Sequence, residues 1–298
     1  MLFRSHCEAA ASAWTARCAR LHGCARCRTP DSREHPLSII DVHTHAFTDT
    51  LAPAAVSSLV EVGGVTAYYD GTIDGLIAAM DRSGVDRSLV APVATKPSQV
   101  TTINDWIASL DRTRIIPFGA MHPDFPEPAE EMARLASLGV RGIKLHSQNQ
   151  DFSPEEDRLA PIYEAAIDLG MVILFHAGGF VVEMGVEARP ASFARVLDRF
   201  PGLTCILAHM GGYQCWAEVR EHLCGRDVYF DTAYVPRHLP DDEFAALIRD
   251  HGPDKVLFGS DGPWTDAAVE MAHIRALGLS AEELEGIFGG NAERLLGG

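Results

Sequence analysis

The sequence lacks any apolar run of ~18 residues, the length a membrane-spanning helix needs, so no membrane span is expected. Positive charge is also scarce: 25 Lys and Arg stand against 41 Asp and Glu, a formal net charge of -16. A surface of that sign repels phosphate backbones and argues against nucleic acid as a partner. The seven cysteines show no disulfide-like spacing. Cys205, Cys215 and Cys224 are scattered through the chain, which suits a reducing cytoplasm. Nor is there a collagen-like repeat or the composition of a disordered chain, because 47% hydrophobic and 22% charged residues are ordinary globular usage. A chain of 298 residues can bury one large barrel core or two ordinary domains.

The few basic residues are unevenly spread. Residues 1–36 hold six Arg and three acids, whereas the remainder holds 19 basic and 38 acidic residues. This first segment also carries Cys7, Cys18, Cys24 and Cys27, with His22 just before the pair in "CARC". No second pair at knuckle spacing accompanies it, so a flexible extension is expected over residues 1–36 rather than a zinc site. It has neither an apolar core nor a cleavage site of a secretory signal.

From residue 37, short β-branched runs alternate with amphipathic segments. Strands are expected near "SIIDVH", "RSLVAPV", "RIIPFGAM", "GVRGIKLH", "MVILFH", "LTCILAH", "DVYFDT" and "KVLFGSD". They are near-continuously apolar, as strands buried on both faces should be. Helical segments between them, such as "TIDGLIAAMDRSG" and "LAPIYEAAIDLG", end in Gly, the usual left-handed stop. Eight βα units predict a single α/β domain, a (β/α)8 TIM barrel, over residues 37–298. From His43 to Asp261 is 218 residues in seven steps, about 31 per unit, a normal length for this fold.

Polar residues then cluster where such a barrel has its mouth, at the C-terminal ends of strands. Six of the 13 histidines fall there: His43, His45, His122, His146, His176 and His209. In "IIDVHTHAF", Asp41, His43 and His45 alternate, and period-2 spacing puts them on one face. A lone buried histidine is more often hydrogen-bonded structure than a ligand, and His122 before Pro123 also fits a turn. Convergence changes that balance. His43, His45 and His176 with Asp261 would give one divalent cation a His, His, His, Asp set from three strand ends, zinc first and manganese second. Asp261 can also accept a proton from a metal-activated water. Asp41 is expected to support rather than to catalyse.

These stretches together resemble a known family. "DVHTH", "GIKLH", "LFHAG", "LAHMGG", "YFDT", "FGSDGPW" and the terminal "NAERLL" resemble the amidohydrolase superfamily, in its amidohydrolase-related (amidohydrolase 2) group. That group includes metal-dependent hydrolases and aminocarboxymuconate-semialdehyde decarboxylase-like enzymes. The resemblance covers residues 37–298 and is silent on residues 1–36. It implies that His43, His45 and His176 bind the metal, with Asp261 as fourth ligand or general base, and that His209 moves protons. Lys144 matches the position of a lysine that is carboxylated in binuclear members. "GIKLHS" departs from the "GIKLHP" of many mononuclear members at Ser147, and a mononuclear site with Lys144 and His146 as substrate contacts is expected.

Hydrolysis of an amide, lactone or ester of a small molecule by a metal-activated water is the first expectation, with Asp261 and His209 as catalytic residues. The alternative is non-oxidative decarboxylation of an unsaturated or aromatic acid, for which Arg158, Arg189 or Arg237 would clamp a carboxylate. A barrel with a merely structural metal is a third reading. Trp264 is expected at the mouth, and Phe180, Val181, Val182 and Met184 form an apolar loop able to wall it. A homodimer is compatible with the sequence.

Overall fold

The computed structural model describes residues 38–179 and 186–297. The expected extension over residues 1–36 with its four cysteines, and the loop residues Phe180, Val181, Val182 and Met184, lie outside the described residues. Nine strand segments run in sequence order: β1 (Ile40–Thr44), β2 (Arg87–Val90), β3 (Ile115–Pro117), β4 (Gly119–Ala120), β5 (Gly142–Leu145), β6 (Val172–Phe175), β7 (Cys205–Leu207), β8 (Tyr229–Asp231) and β9 (Val256–Leu257). β1 to β3 and β4 to β9 each pair in parallel with their sequence neighbours. The apparent break between β3 and β4 falls at Phe118, whose amide still donates to the Val90 carbonyl at 3.1 Å. The two segments are therefore one stave, and the staves number eight. Closure comes from the Val42 amide donating to the Phe258 carbonyl at 2.8 Å and the Asp261 amide to the His43 carbonyl at 2.9 Å. The fold is a (β/α)8 TIM barrel.

Two apolar layers hold it. Inside, Val42, Leu89, Phe118, Leu174, Ile206 and Leu257 pack together, and Ala292, Leu295 and Leu296 of the helix Asn291–Leu296 join them from the end where the strands begin. Outside, Ile143, Leu145, Ile173 and Phe175 of β5 and β6 belong with Ile162, Tyr163 and Phe193 of the surrounding helices to the larger core. The helix Ile73–Ser83 starts at Thr72, whose hydroxyl accepts the Gly75 amide, and stops at Gly84 with φ of 76°, the left-handed ending its sequence predicts. Among the described residues no helix is long and apolar enough to cross a membrane.

One element has no clear signal in the sequence. Between β1 and the helix Ile73–Ser83 lies a further helix, Ala52–Gly63, begun by an early Pro and closed by Gly64 with φ of 60°. Its small and β-branched residues carry weak helix periodicity, which hides it. The strand β1 also departs from simple alternation, because its register against β2 shifts between Asp41 and Thr44.

Gly142 in β5 has a packing reason. A Cβ there would meet the Phe118 ring at 2.4 Å and the Val172 carbonyl oxygen at 2.5 Å. Gly142→Ala is therefore expected to destabilise the barrel by about 1–3 kcal/mol. A urea melt should show a lower midpoint at an unchanged slope; an unchanged midpoint would mean the interior can yield there.

Candidate metal centre and active site

Three predicted ligands meet at the mouth. The ligand atoms of His43, His45 and Asp261 all lie within 4.8 Å of one another. Asp261 Oδ1 is 3.2 Å from His45 Nε2 and 3.6 Å from His43 Nε2. Bonds of ~2.1 Å around one cation give ligand-to-ligand edges of roughly 3.0–3.4 Å, so these separations fit a single divalent ion. The far sides of both rings are fixed to match. His43 Nδ1–H donates to Asp231 Oδ2 at 2.8 Å, and His45 Nδ1–H donates to the Ala91 carbonyl at 2.9 Å. Each ring thus turns its Nε2 lone pair towards Asp261, the tautomer that a metal ligand requires.

Charge states agree with that chemistry. Burial, with Lys144 nearby, holds His43 well below the usual imidazole range. Burial pushes Asp261 up, but His43, His45 and His209 outweigh it and keep the carboxyl below the ordinary aspartate range. His43 held neutral and Asp261 held ionised suit a cation between them.

His176 and His209 stand beside this triad. His176 Nε2–H donates to the Gly179 carbonyl at 2.7 Å, and His209 Nδ1–H donates to the Ala233 carbonyl at 2.7 Å. Both carbonyls can only accept, so the nitrogens that face each other, His176 Nδ1 and His209 Nε2 at 3.1 Å, oppose two lone pairs. A shared proton or a cation resolves that opposition. His146 stacks on His176 with ring centres 4.1 Å apart. Lys144 is 1% exposed, its Nζ donates to His43 Nε2 at 3.2 Å, and burial lowers its ammonium to about 8.

Local backbone geometry aims these groups. His209 and Asp261 have φ of 59° and 72°, in the left-handed region that non-glycine residues seldom enter. His209 is held there by its amide donating to Asp231 Oδ1 at 2.9 Å and by Trp216 Nε1–H donating to its carbonyl at 3.0 Å. Asp231 therefore orients two histidines at once, one through its side chain and one through its backbone. In the sequence Asp231 stands out only as the acid that ends the strand in "DVYFDT", and that position is the available signal.

Over the triad opens a cavity of about 310 Å³, lined by the five site histidines His43, His45, His146, His176 and His209, together with Asp261, Lys144 and Trp264. The helix Ala52–Gly63 and the segment after it supply Leu59, Val62 and Val65 to its wall. Two expectations need correction. Arg158 does not line the cavity: its Nε, Nη1 and Nη2 donate to Glu156, Asp124 and the Asp151 carbonyl at 2.7, 2.6 and 2.5 Å. Acidic neighbours in the surface loops have captured it. Arg189 pairs with Glu187 and Glu218, and Arg237 reaches Tyr68 at 3.4 Å, so neither lines the cavity either. Asp41 does not share the face of His43 and His45. Past the register shift it lines a pocket of about 20 Å³ beside the helix Ile73–Ser83, and its carboxylate accepts the Ser260 and His43 amides at 2.9 and 3.1 Å. His122 sits in a turn, its Nδ1 accepting the Asp124 amide at 3.1 Å.

Comparison with known proteins follows the same residues. A family model described as amidohydrolase matches residues 40–298. The chain belongs to the amidohydrolase family. A search of curated proteins finds no match. Among solved structures, this amidohydrolase is similar to 5-carboxyvanillate decarboxylase from Novosphingobium aromaticivorans, complexed with manganese and 4-hydroxy-3-methoxy-5-nitrobenzoic acid. The two are 20% identical, with 89% of this chain and 97% of that one covered and a TM-score of 0.68. It is also similar to 2,6-dihydroxybenzoate decarboxylase from Rhizobium, at 16% identity over 88% of this chain and 99% of that one, TM-score 0.66. A candidate 2-pyrone-4,6-dicarboxylic acid hydrolase from Pseudomonas putida matches at 19% identity over 88% and 98%, TM-score 0.62. At these identities the likeness to each structure establishes the fold alone.

Two tests address this amidohydrolase's site. Asp231→Asn removes the charge that orients the His43 ring, and affinity for zinc or manganese, measured by equilibrium dialysis, is expected to fall about 10–100-fold. Unaltered affinity would mean that the His43–Asp231 bond is not needed. Glu270, on the first turn of the helix Ala267–Ala276, is 1% exposed, lies 4.0 Å from Arg237, and is pushed by burial from 4.5 to about 8. A raised value means the folded state keeps a proton the unfolded chain has lost, so this group's contribution is full below about 4.5 and vanishes as pH rises through about 8. Glu270→Gln mimics the protonated form, and its thermal midpoint should fall less than the parent's across that window. Parallel curves would show that Glu270 does not govern the alkaline limb.

Proposed function

We propose that the chain is a metal-dependent carboxy-lyase that releases carbon dioxide from a small aromatic or unsaturated carboxylic acid. The observation that carries this reading is the cavity itself, whose floor holds one ammonium, Lys144, beside the cation-binding triad, while apolar side chains rise above them. The similarity to two decarboxylases supports the same direction. His43, His45 and Asp261 would hold one divalent cation, with His176 as the further ligand. When bound, that ion would anchor a carboxylate and stabilise negative charge developing on the substrate.

The chain's own residues have definable parts. Lys144, buried beside His43, gains a counter-charge when a substrate carboxylate arrives, which offsets the cost of keeping an ammonium out of water. The apolar walls exclude water from the departing group and thereby remove the hydration that holds a carboxylate in place. As the bond between the substrate carbon and the carboxyl carbon breaks, its electron pair remains on the substrate carbon, which must take up a proton. His209 is the residue to hold that proton at Nε2, because its Nδ1–H is engaged by the Ala233 carbonyl. Lys144 and Trp264 contact the substrate, with His146 supporting the His176 ring. Hydrolysis of an amide, lactone or ester is the second reading, favoured by the ionised Asp261 carboxylate, which can take a proton from water.

The test is a purified, metal-analysed protein incubated separately with aromatic monocarboxylic acids and with lactones and amides. Metal-dependent carbon dioxide release, lost on chelation and restored by manganese or zinc, is the expected result. Ring opening without carbon dioxide would replace this reading by the hydrolytic one. His209→Asn is expected to lower kcat by about 10²–10⁴-fold while metal content stays unchanged. Loss of the metal in that variant would make His209 a ligand instead.

A further inference from the structure

We infer that the cavity is built for a substrate with a single carboxylate, and that Leu59, Val62 and Val65 are the residues that exclude a second anionic group. This rests on the carboxy-lyase reading for the nature of the first carboxylate, but the selection itself is a property of binding. Of the chain's 25 Lys and Arg, Lys144 alone lies among the described residues that line the cavity. The three arginines nearest to a clamping role by sequence are engaged by Glu156, Glu218 and Tyr68 on the surface. Lys96, next to the lining residue Thr95, is exposed and does not line the cavity. The segment 180–185 reads FVVEMG and holds no basic residue.

Part of the wall is apolar. Leu59 and Val62 come from the helix Ala52–Gly63, and Val65 follows Gly64 directly. Val62 is 58% exposed while also lining the cavity, so it stands at the rim. A carboxylate pressed on these side chains would lose water on that side and meet no cation in return, a penalty for an ion. The net charge of -16 adds a field that disfavours a dianion more than a monoanion.

The test uses metal-loaded full-length protein and calorimetric titration with three probes: benzoate, isophthalate and monomethyl isophthalate. The ester has nearly the size of isophthalate but one charge. Benzoate and the ester are expected to bind within about 5-fold of each other, and isophthalate about 100-fold more weakly. Isophthalate binding within about 5-fold of benzoate would overturn the inference, and equal rejection of ester and diacid would overturn it in favour of size. Val62→Arg places a cation at the rim near a helix C-terminus, where a basic residue is well tolerated. With metal content and thermal midpoint as in the parent, it should improve isophthalate binding at least about 10-fold more than it improves benzoate binding. No improvement in that folded variant would remove Val62 from the role. Benzoates that bind with this selectivity yet release no carbon dioxide would sink the carboxy-lyase reading and leave the selection standing.

Discussion

The hydrogen bond between His43 Nδ1 and Asp231, 2.8 Å long and fully buried, is the constraint on which the site depends. It joins β1 to the end of β8 across 188 residues of chain. Only a closed barrel brings those ends together, so the bond reads out the fold as well as the chemistry. The other carboxylate oxygen is equally occupied, because Asp231 Oδ1 accepts the amides of His209 and Ala233 at 2.9 and 3.1 Å. Burial raises the Asp231 carboxyl above the ordinary aspartate range, and three donors are what such a buried carboxylate needs. One acid thereby sets the tautomer of His43 and the backbone of His209, the proposed metal ligand and the proposed proton carrier.

Strain is concentrated around the same bond. His209, Tyr234 and Asp261 all line the cavity, and all three have left-handed backbones with φ of 59°, 60° and 72°. Each left-handed non-glycine residue costs of order 1–3 kcal/mol and persists only where its surroundings over-determine it. For Asp261 those surroundings are its amide bond to the His43 carbonyl and the Trp264 amide bonded to its own carbonyl, both at 2.9 Å. Strand pairing that closes the barrel is therefore the same interaction that turns the Asp261 carboxylate towards the two histidines.

Much of this is legible in the residues, for a physical reason. Parallel strands of one length repeat at one interval, so polar residues that mark their C-terminal ends converge in space, and that interval picks out His43, His45, His146, His176, His209 and Asp261, whereas Lys144 enters through the family resemblance of "GIKLH". What escapes depends on departures from regularity. The register shift in β1 sends Asp41 away from His43 and His45, and period-2 reasoning has no way to see a shift. The helix Ala52–Gly63 escapes because its sequence lacks a marked apolar stripe. Arg158 escapes because an arginine's direction depends on which carboxylates fold up beside it, here Asp124, 34 residues away.

Charge balance ties the floor of the cavity to the ligand it suits. On the proposed reading, ionised Asp231 and Asp261, protonated Lys144 and a divalent cation together carry one surplus positive charge, apart from the proton that His209 delivers to the substrate. A substrate carboxylate removes that surplus, and in a buried setting a neutral whole is far cheaper than any charged one. A second carboxylate reaching the apolar part of the wall would meet no further cation among the described residues that line the cavity. The buried imidazoles of His43, His146 and His176 leave this balance alone, because burial depresses all three and neutral rings add donors and lone pairs without adding charge. The fold has thus gathered several imidazole nitrogens in a small volume, and on the proposed reading the choice of the ligand's charge is left to two aspartates, one lysine and the cation.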